Sequence, residues 1–124
     1  MNLIIKGRLP GLNEYTAACR RDPRAGARMK REAGELVGWA IKAARLGKIT
    51  TPCRMAYTWY EANHRRDLDN ICSFGRKVIQ DSLVEAGCLP GDGWNHITGF
   101  SDRFEVDAKD PRIEIEFITE GIKK

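Results

Sequence analysis

The sequence predicts an α+β fold: one small domain with a mixed sheet and two helices. Two long segments carry apolar residues at three- and four-residue steps, a spacing typical of helices with one buried face. The segments between them are short and rich in aliphatic and aromatic residues, which favours strands. The chain has 124 residues, the length of one ordinary domain. We therefore expect a single domain over residues 1–124, with the element order β-α-β-α-β-β.

The first half of the chain is predicted to hold a strand, a loop and a helix. Residues 2–9 include a short apolar run that Pro10 ends, which suits a strand. A long polar loop is expected over residues 13–26. From about residue 27 to residue 46, apolar residues recur at helical spacing until Gly47. The stripe consists of Met29, Ala33, Leu36, Ala40 and Ala43.

The second half is predicted to hold a strand, the core helix and two further strands. Residues 53–61 read CRMAYTWYE, an aromatic-rich strand pattern. The core helix is expected from Asp69 to Gly87, where glycine supplies a stop signal. The last two strands are expected over residues 96–106 and 112–118.

Composition favours a soluble, cytoplasmic protein. Apolar residues make up 42% of the chain and charged residues 31%, and no apolar run approaches the roughly 20 residues that span a bilayer. The N-terminal apolar run is too short for a signal peptide. The four cysteines are widely spaced and contain no C-x-x-C pair, so we expect reduced, buried thiols rather than a zinc site.

Charge favours a polyanionic partner. The net charge is +4 and the isoelectric point is about 9.0. One basic cluster lies before the first helix and along it, and a second lies over residues 64–66, beside an acidic motif. The first cluster contains Arg20, Arg21, Arg24, Arg28, Lys30 and Arg31. It suits both phosphate binding and a solvated helix face, and charge alone does not separate these interpretations.

The motif HRRDLDN, from His64 to Asn70, places Asp67 and Asp69 two residues apart. On an extended stretch these carboxylates would point the same way, and a divalent cation such as Mg²⁺ would relieve their repulsion. The alternative is that Asp69 or Asn70 caps the following helix. An aspartyl-phosphate motif is disfavoured, because there the first Asp ends a buried apolar strand, whereas Asp67 follows three basic residues.

A third carboxylate, Asp92, lies between two glycines in LPGDGW. Turn chemistry alone explains an Asp at such a position. Together with Asp67, Asp69 and Lys77, however, it forms a set typical of a metal-dependent phosphodiesterase, in which carboxylates hold the metal and a cation stabilises the developing charge.

Three segments resemble the signature of the RusA family of Holliday-junction resolvases. They are RRDLDNI from Arg65 to Ile71, KVIQDSLVEAG from Lys77 to Gly87, and Asp92; LPGLN at residues 9–13 is more weakly similar. The resemblance implies a RusA-like fold and a homodimer that binds four-way DNA junctions. It also implies paired symmetric nicks in recombination and repair with Mg²⁺, for which Mn²⁺ can substitute, and a bacterial host with a phage or prophage gene.

The resemblance also carries over functional residues. Asp67, Asp69 and Asp92 become the metal-binding, catalytic carboxylates. The family's lysine lies one helical turn after the second Asp, where this chain has Ser73. Counting back from Asp81 selects Lys77, whereas helical geometry places Arg76 nearly over Asp69, so both stay candidates. The residues expected to contact DNA are Arg65, Arg66, Arg76, Arg20, Arg21 and Arg24.

The length of the core helix predicts how the site is assembled. Its ends, at Asp69 and Gly87, would lie about 27 Å apart. Asp92 follows Gly87 by only five residues, too few to return that distance. A two-fold dimer with antiparallel core helices would instead form composite sites from Asp92 of one chain and Asp67 and Asp69 of the other. Two rival interpretations are a non-catalytic DNA-binding module and a nuclease for flaps, forks or duplex.

Overall fold

The computed structural model describes residues 1–119; residues 120–124, the end of the predicted domain, lie outside this part. The described elements are β1 (Asn2–Lys6), α1 (Leu12–Arg21), α2 (Pro23–Ala43), β2 (Cys53–Glu61), α3 (Leu68–Glu85), β3 (Ile97–Val106) and β4 (Arg112–Thr119). The α+β class is confirmed, with three helices rather than two. None of these helices is long and apolar enough to cross a membrane.

The additional helix, α1, occupies the segment predicted to be a polar loop. Its first turn is closed by a hydrogen bond from the Gly11 N–H to Glu14 Oε1, at 2.7 Å. Asp22 then ends α1 and caps α2, because its carboxylate accepts the Arg24 N–H at 2.9 Å. Ala18 is the one residue of α1 that is fully buried. A helix that buries so little surface can be built mostly from polar residues, and this polar composition suggested a loop. The prediction of a loop over residues 13–26 is therefore wrong.

The four strands form one mixed sheet in the order β1-β4-β2-β3. β4 pairs antiparallel with both β1 and β2, whereas β2 and β3 are parallel. A parallel pair needs a crossover connection, and α3 is that crossover. Alternate residues of β2 are buried, among them Met55, Tyr57 and Trp59. The predicted mixed sheet is confirmed.

α3 is the central helix of the core. Its buried face includes Phe74, Val78 and Leu83, and a Cβ at Gly75 would lie 3.0 Å from the Trp59 ring, so α3 sits close to β2. Gly87 adopts a positive φ of 81°, and the next residue, Cys88, donates its N–H to Leu83 O at 2.9 Å. This closure is the Schellman motif, which explains the predicted stop at glycine.

The thiols divide into two groups. Cys53, Cys72 and Cys88 are buried, as predicted, whereas Cys19 on α1 is exposed. The prediction of a buried thiol is therefore wrong for Cys19. Its segment was expected to be a loop, and the sequence contained no pattern that would orient its side chain.

Candidate functional site

Asp67 and Asp69 lie at the N-terminal end of α3, and both are exposed. Asp67 is the N-cap, and its Oδ1 accepts the Asn70 N–H at 3.1 Å. Asp69 lies inside the first helical turn, so the expectation that both carboxylates share an extended stretch is wrong. The capping role also belongs to Asp67 rather than to Asp69 or Asn70. Within residues 1–119 the Asp69 carboxylate makes no side-chain ion pair or hydrogen bond, so its oxygens are open to solvent or a ligand.

A buried ion pair fixes the segment that carries these aspartates. Arg66 donates to Glu61 Oε2 at 2.7 Å and to Glu61 Oε1 at 3.1 Å, and a third bond reaches Leu9 O at 3.2 Å. The Arg66 and Glu61 side chains are only 12% and 6% exposed. The guanidinium that was expected to contact DNA is therefore committed to Glu61. A charged residue at an inward-facing position of β2 was the available signal for this pair.

Asn70 joins the acidic motif to the N-terminal segment. Its Oδ1 accepts the Asn13 N–H at 2.7 Å. Gly11 packs so closely here that an added Cβ would lie 2.6 Å from Asn70 Oδ1 and 2.9 Å from Asn70 O. Since one of these atoms belongs to the backbone, a side chain at Gly11 would displace the segment. The LPGLN and DLDN segments, both part of the RusA resemblance, are thus in direct contact.

Arg76 is tied to the sheet rather than free for a substrate. Its Nη1 lies 2.7 Å from Asp102 Oδ2 and 2.9 Å from Cys72 Sγ, and its guanidinium stacks 4.4 Å from the Phe100 ring centroid. Asp102 also accepts the Trp59 indole N–H at 2.9 Å. Burial raises the pKa of the Cys72 thiol. No sequence pattern pointed to Asp102, because its partners come from other elements of the fold.

Lys77 and Asp92 are brought together on the exposed side of α3. Lys77 Nζ lies 3.2 Å from Asp81 Oδ1 and 3.8 Å from Asp92 Oδ2. Asp81 raises the pKa of Lys77 by favouring its charged form, and Asp92 adds a smaller effect in the same direction. The turn after α3 therefore returns Asp92 to the middle of the helix.

The three candidate carboxylates remain at two separate places. Eight residues separate Asp69 from Lys77, so the Asp92 contact lies about 12 Å along the helix from Asp69. Within residues 1–119, no three His, Cys, Asp or Glu side chains are grouped so that they could hold a metal ion. Asp67 and Asp69 alone offer oxygen ligands, the type that Mg²⁺ prefers, and Mg²⁺ takes as few as one or two carboxylates when water and phosphate complete its shell.

The remaining basic candidates lie on the surface. Arg65 is exposed and precedes the acidic pair by two residues. Arg20 and Arg21 lie in the last turn of α1, and Arg24 begins α2. Since α1 starts beside Asn70 and spans ten residues, this corner is about 15 Å from the N-terminal end of α3.

Compared with models of protein families the chain matches none, and no curated protein matches it either. Its function is therefore inferred from the geometry of these residues and from the resemblance seen in the sequence.

Proposed function

We propose that this protein is a metal-dependent endonuclease for branched DNA, a Holliday-junction resolvase of the RusA type that acts as a homodimer. The observation that carries the proposal is the pair of exposed carboxylates, Asp67 and Asp69, on one rigidly held helix end. Exposed acidic residues beside a basic surface are unfavourable for DNA binding unless a cation neutralises them. A bound cation would remove this repulsion and would attract a DNA phosphate to the same place.

The donor set fits Mg²⁺ or Mn²⁺, both of which accept carboxylate oxygen. Such an ion would lower the pKa of a bound water and screen the phosphate charge. Asp69 and the free oxygen of Asp67 would hold the ion. The buried Arg66–Glu61 pair would keep the two carboxylates in place. Arg65, exposed on the same segment, would bind a neighbouring phosphate.

Lys77 is the favoured candidate for the cation that stabilises developing charge. It is 60% exposed and can leave its partners, whereas Arg76 is held by Asp102, Cys72 and Phe100. Asp92 lies beside Lys77 rather than beside Asp69. An antiparallel pair of α3 helices across a two-fold axis would supply the missing carboxylate from the partner, so we propose two composite sites, one for each symmetric nick.

A second candidate function is a DNA-binding module without catalysis. It is favoured by the capping bond of Asp67 and by the separation of the three carboxylates within residues 1–119. In that case the aspartates would serve only as cap and turn residues, and the basic surface would do all the binding.

The deciding experiment is cleavage of a synthetic four-way junction with and without Mg²⁺. A linear duplex of the same arm sequence, a flap and a fork serve as controls. We expect paired symmetric nicks in the junction that require Mg²⁺ or Mn²⁺. Binding without any cleavage would favour the non-catalytic module, and faster cleavage of a flap or fork would reassign the substrate.

A further inference from the structure

A cleft of about 540 Å³ lies directly beside Asp67. It is formed by the segment before α3, the first turn of α3 and the last residues of β3. The Arg66–Glu61 ion pair and the buried Ile71 line its interior. Its volume is within the range of about 300–1,000 Å³ that small-molecule sites occupy. The cleft adjoins the proposed metal site, because Asp67 belongs to both.

Four of the ten residues that line this cleft are apolar, and two of these four are open to solvent. Leu68, which stands between the two candidate metal ligands, is 56% exposed, and Val106 at the end of β3 is 44% exposed. Phe104 lines the cleft between them in a partly buried position. A single exposed Leu needs no explanation, but apolar side chains that converge on one cleft form a surface suited to a flat apolar ligand.

The charge of the cleft argues against a phosphate as its occupant. Glu61 is paired with Arg66 and Glu105 with Arg103, which leaves Asp67 as a charge without a basic partner among the described residues that line the cleft. A neutral ring is not repelled by these carboxylates. The edge of a nucleobase, in contrast, has donors and acceptors that His64, the amide nitrogen of Asn63 and the second carboxylate oxygen of Glu105 can meet. Asn63 Oδ1 and Glu105 Oε2 already accept hydrogen bonds from Arg65 and Arg103.

We propose that this cleft holds one unstacked nucleobase next to the phosphate that is cut. This inference rests on the proposed function, because it takes the DNA to be anchored at Asp67 and Asp69. A base at a branch point is easier to unstack than one inside a duplex, since fewer neighbours hold it. The cleft therefore selects branched over linear DNA by accepting a base that only a branch releases at low cost.

The test uses 2-aminopurine, which fluoresces brightly only when it is unstacked. It is placed in turn at each position around the crossover of a four-way junction. The full-length Asp69→Asn protein is used to prevent cleavage, and binding is followed separately by anisotropy of a label on an arm. We expect a fluorescence rise at one symmetric pair of positions on binding. Binding with no rise at any position would overturn the inference while leaving the proposed function intact.

Variants of the cleft separate base capture from general distortion of the DNA. Leu68→Ser and Val106→Ser should remove the rise and weaken junction binding about 5-fold or more, the loss expected for one stacking contact. The matched control is Ile4→Ser, since Ile4 is 48% exposed on the opposite edge strand. Thermal unfolding of each variant verifies the fold. A rise that survives in both cleft variants would place the unstacked base elsewhere and overturn the inference.

A further arm distinguishes a base in DNA from a free nucleotide, which has the same ring chemistry. Free 2-aminopurine nucleoside is titrated with the same protein and should not bind at concentrations that saturate the junction. Tight binding of the nucleoside without a response from the junction would overturn the inference in favour of a small-molecule site. Failure to bind any DNA would overturn the proposed function, and this inference with it.

Discussion

The N-terminal end of α3 and its middle both carry charged side chains but hold them in different ways. At the N-terminal end, Glu61 is buried, and Arg66, which is mostly buried, is paired and hydrogen-bonded to it. At the middle, Lys77 and Asp92 are exposed and lie 3.8 Å apart. Buried charges with all their partners in place fix geometry, whereas exposed charges remain free to exchange partners. We infer that the Arg66–Glu61 pair holds Asp67 and Asp69 in position. The middle of α3 supplies a functional group itself, the side chain of Lys77.

The largest expected effect tests whether the exposed carboxylates bind metal. Asp67→Asn, Asp69→Asn and Asp92→Asn should each abolish junction cleavage, because a neutral amide is a poor ligand for Mg²⁺. Junction binding should be unchanged or tighter, since repulsion of phosphate is relieved. Asn is also a good N-cap, so Asp67→Asn keeps the helix cap and isolates the metal role. Near-normal cleavage by any of the three removes that residue from the site.

The next largest effect tests whether the buried pair positions the helix end. Arg66→Ala should lower the free energy of unfolding by about 2–3 kcal/mol, because the buried Glu61 then keeps only the longer contact to Arg8, at 3.5 Å. The matched control is Arg65→Ala, which removes the exposed neighbour and should change stability by less than about 0.5 kcal/mol. Urea denaturation measures both. Equal destabilisation of the two variants would contradict the positioning role.

A smaller effect separates two adjacent cations of α3. Arg76→Ala should cost about 2 kcal/mol, since Asp102 is then without its charged donor. Lys77→Ala should cost less than about 0.5 kcal/mol in stability, yet slow cleavage about 100-fold or more. Unfolding and single-turnover cleavage are measured on the same preparations. Full activity of Lys77→Ala would remove it from the proposed chemistry.

The smallest effect concerns the corner between α1 and α2. Replacing Arg20, Arg21 and Arg24 by Gln should flatten the salt dependence of junction binding, by about 0.9 in log-log slope for each phosphate that these residues bind. The matched control replaces three other exposed basic residues by Gln. These lie at the other end of α2 and in the segment after it: Lys42, Arg45 and Lys48. A slope that is unchanged by the first set, or changed equally by both sets, would show that the corner does not contact DNA.

Much of the fold could be predicted from local sequence patterns. The stripe of α3 and the alternation of β4 predicted elements that the structure contains, because both patterns follow from burial of one face. α1 was missed because it buries so little of its surface. Periodicity finds a helix only where the helix packs a broad apolar face.

The candidate site was less predictable, because its contacts join distant parts of the chain. Arg66 lies five residues from Glu61 but also binds Leu9, and Arg76 binds Asp102, 26 residues away. The sequence shows that these side chains are basic but does not show which partner each has in the fold. It did show the short spacing between Asp92 and the end of α3, and the structure places Asp92 beside Lys77 rather than beside Asp69.

The central claim is that two chains complete each site, and subunit mixing tests it most directly. Inactive Asp69→Asn and Asp92→Asn proteins are combined and allowed to exchange subunits. In the heterodimer, one composite site would carry both substitutions and the other neither, so Mg²⁺-dependent nicking of one strand should return. The control mixture of Asp67→Asn and Asp69→Asn should stay inactive, because each of its sites keeps one lesion. A first mixture that stays inactive despite verified subunit exchange would contradict the account.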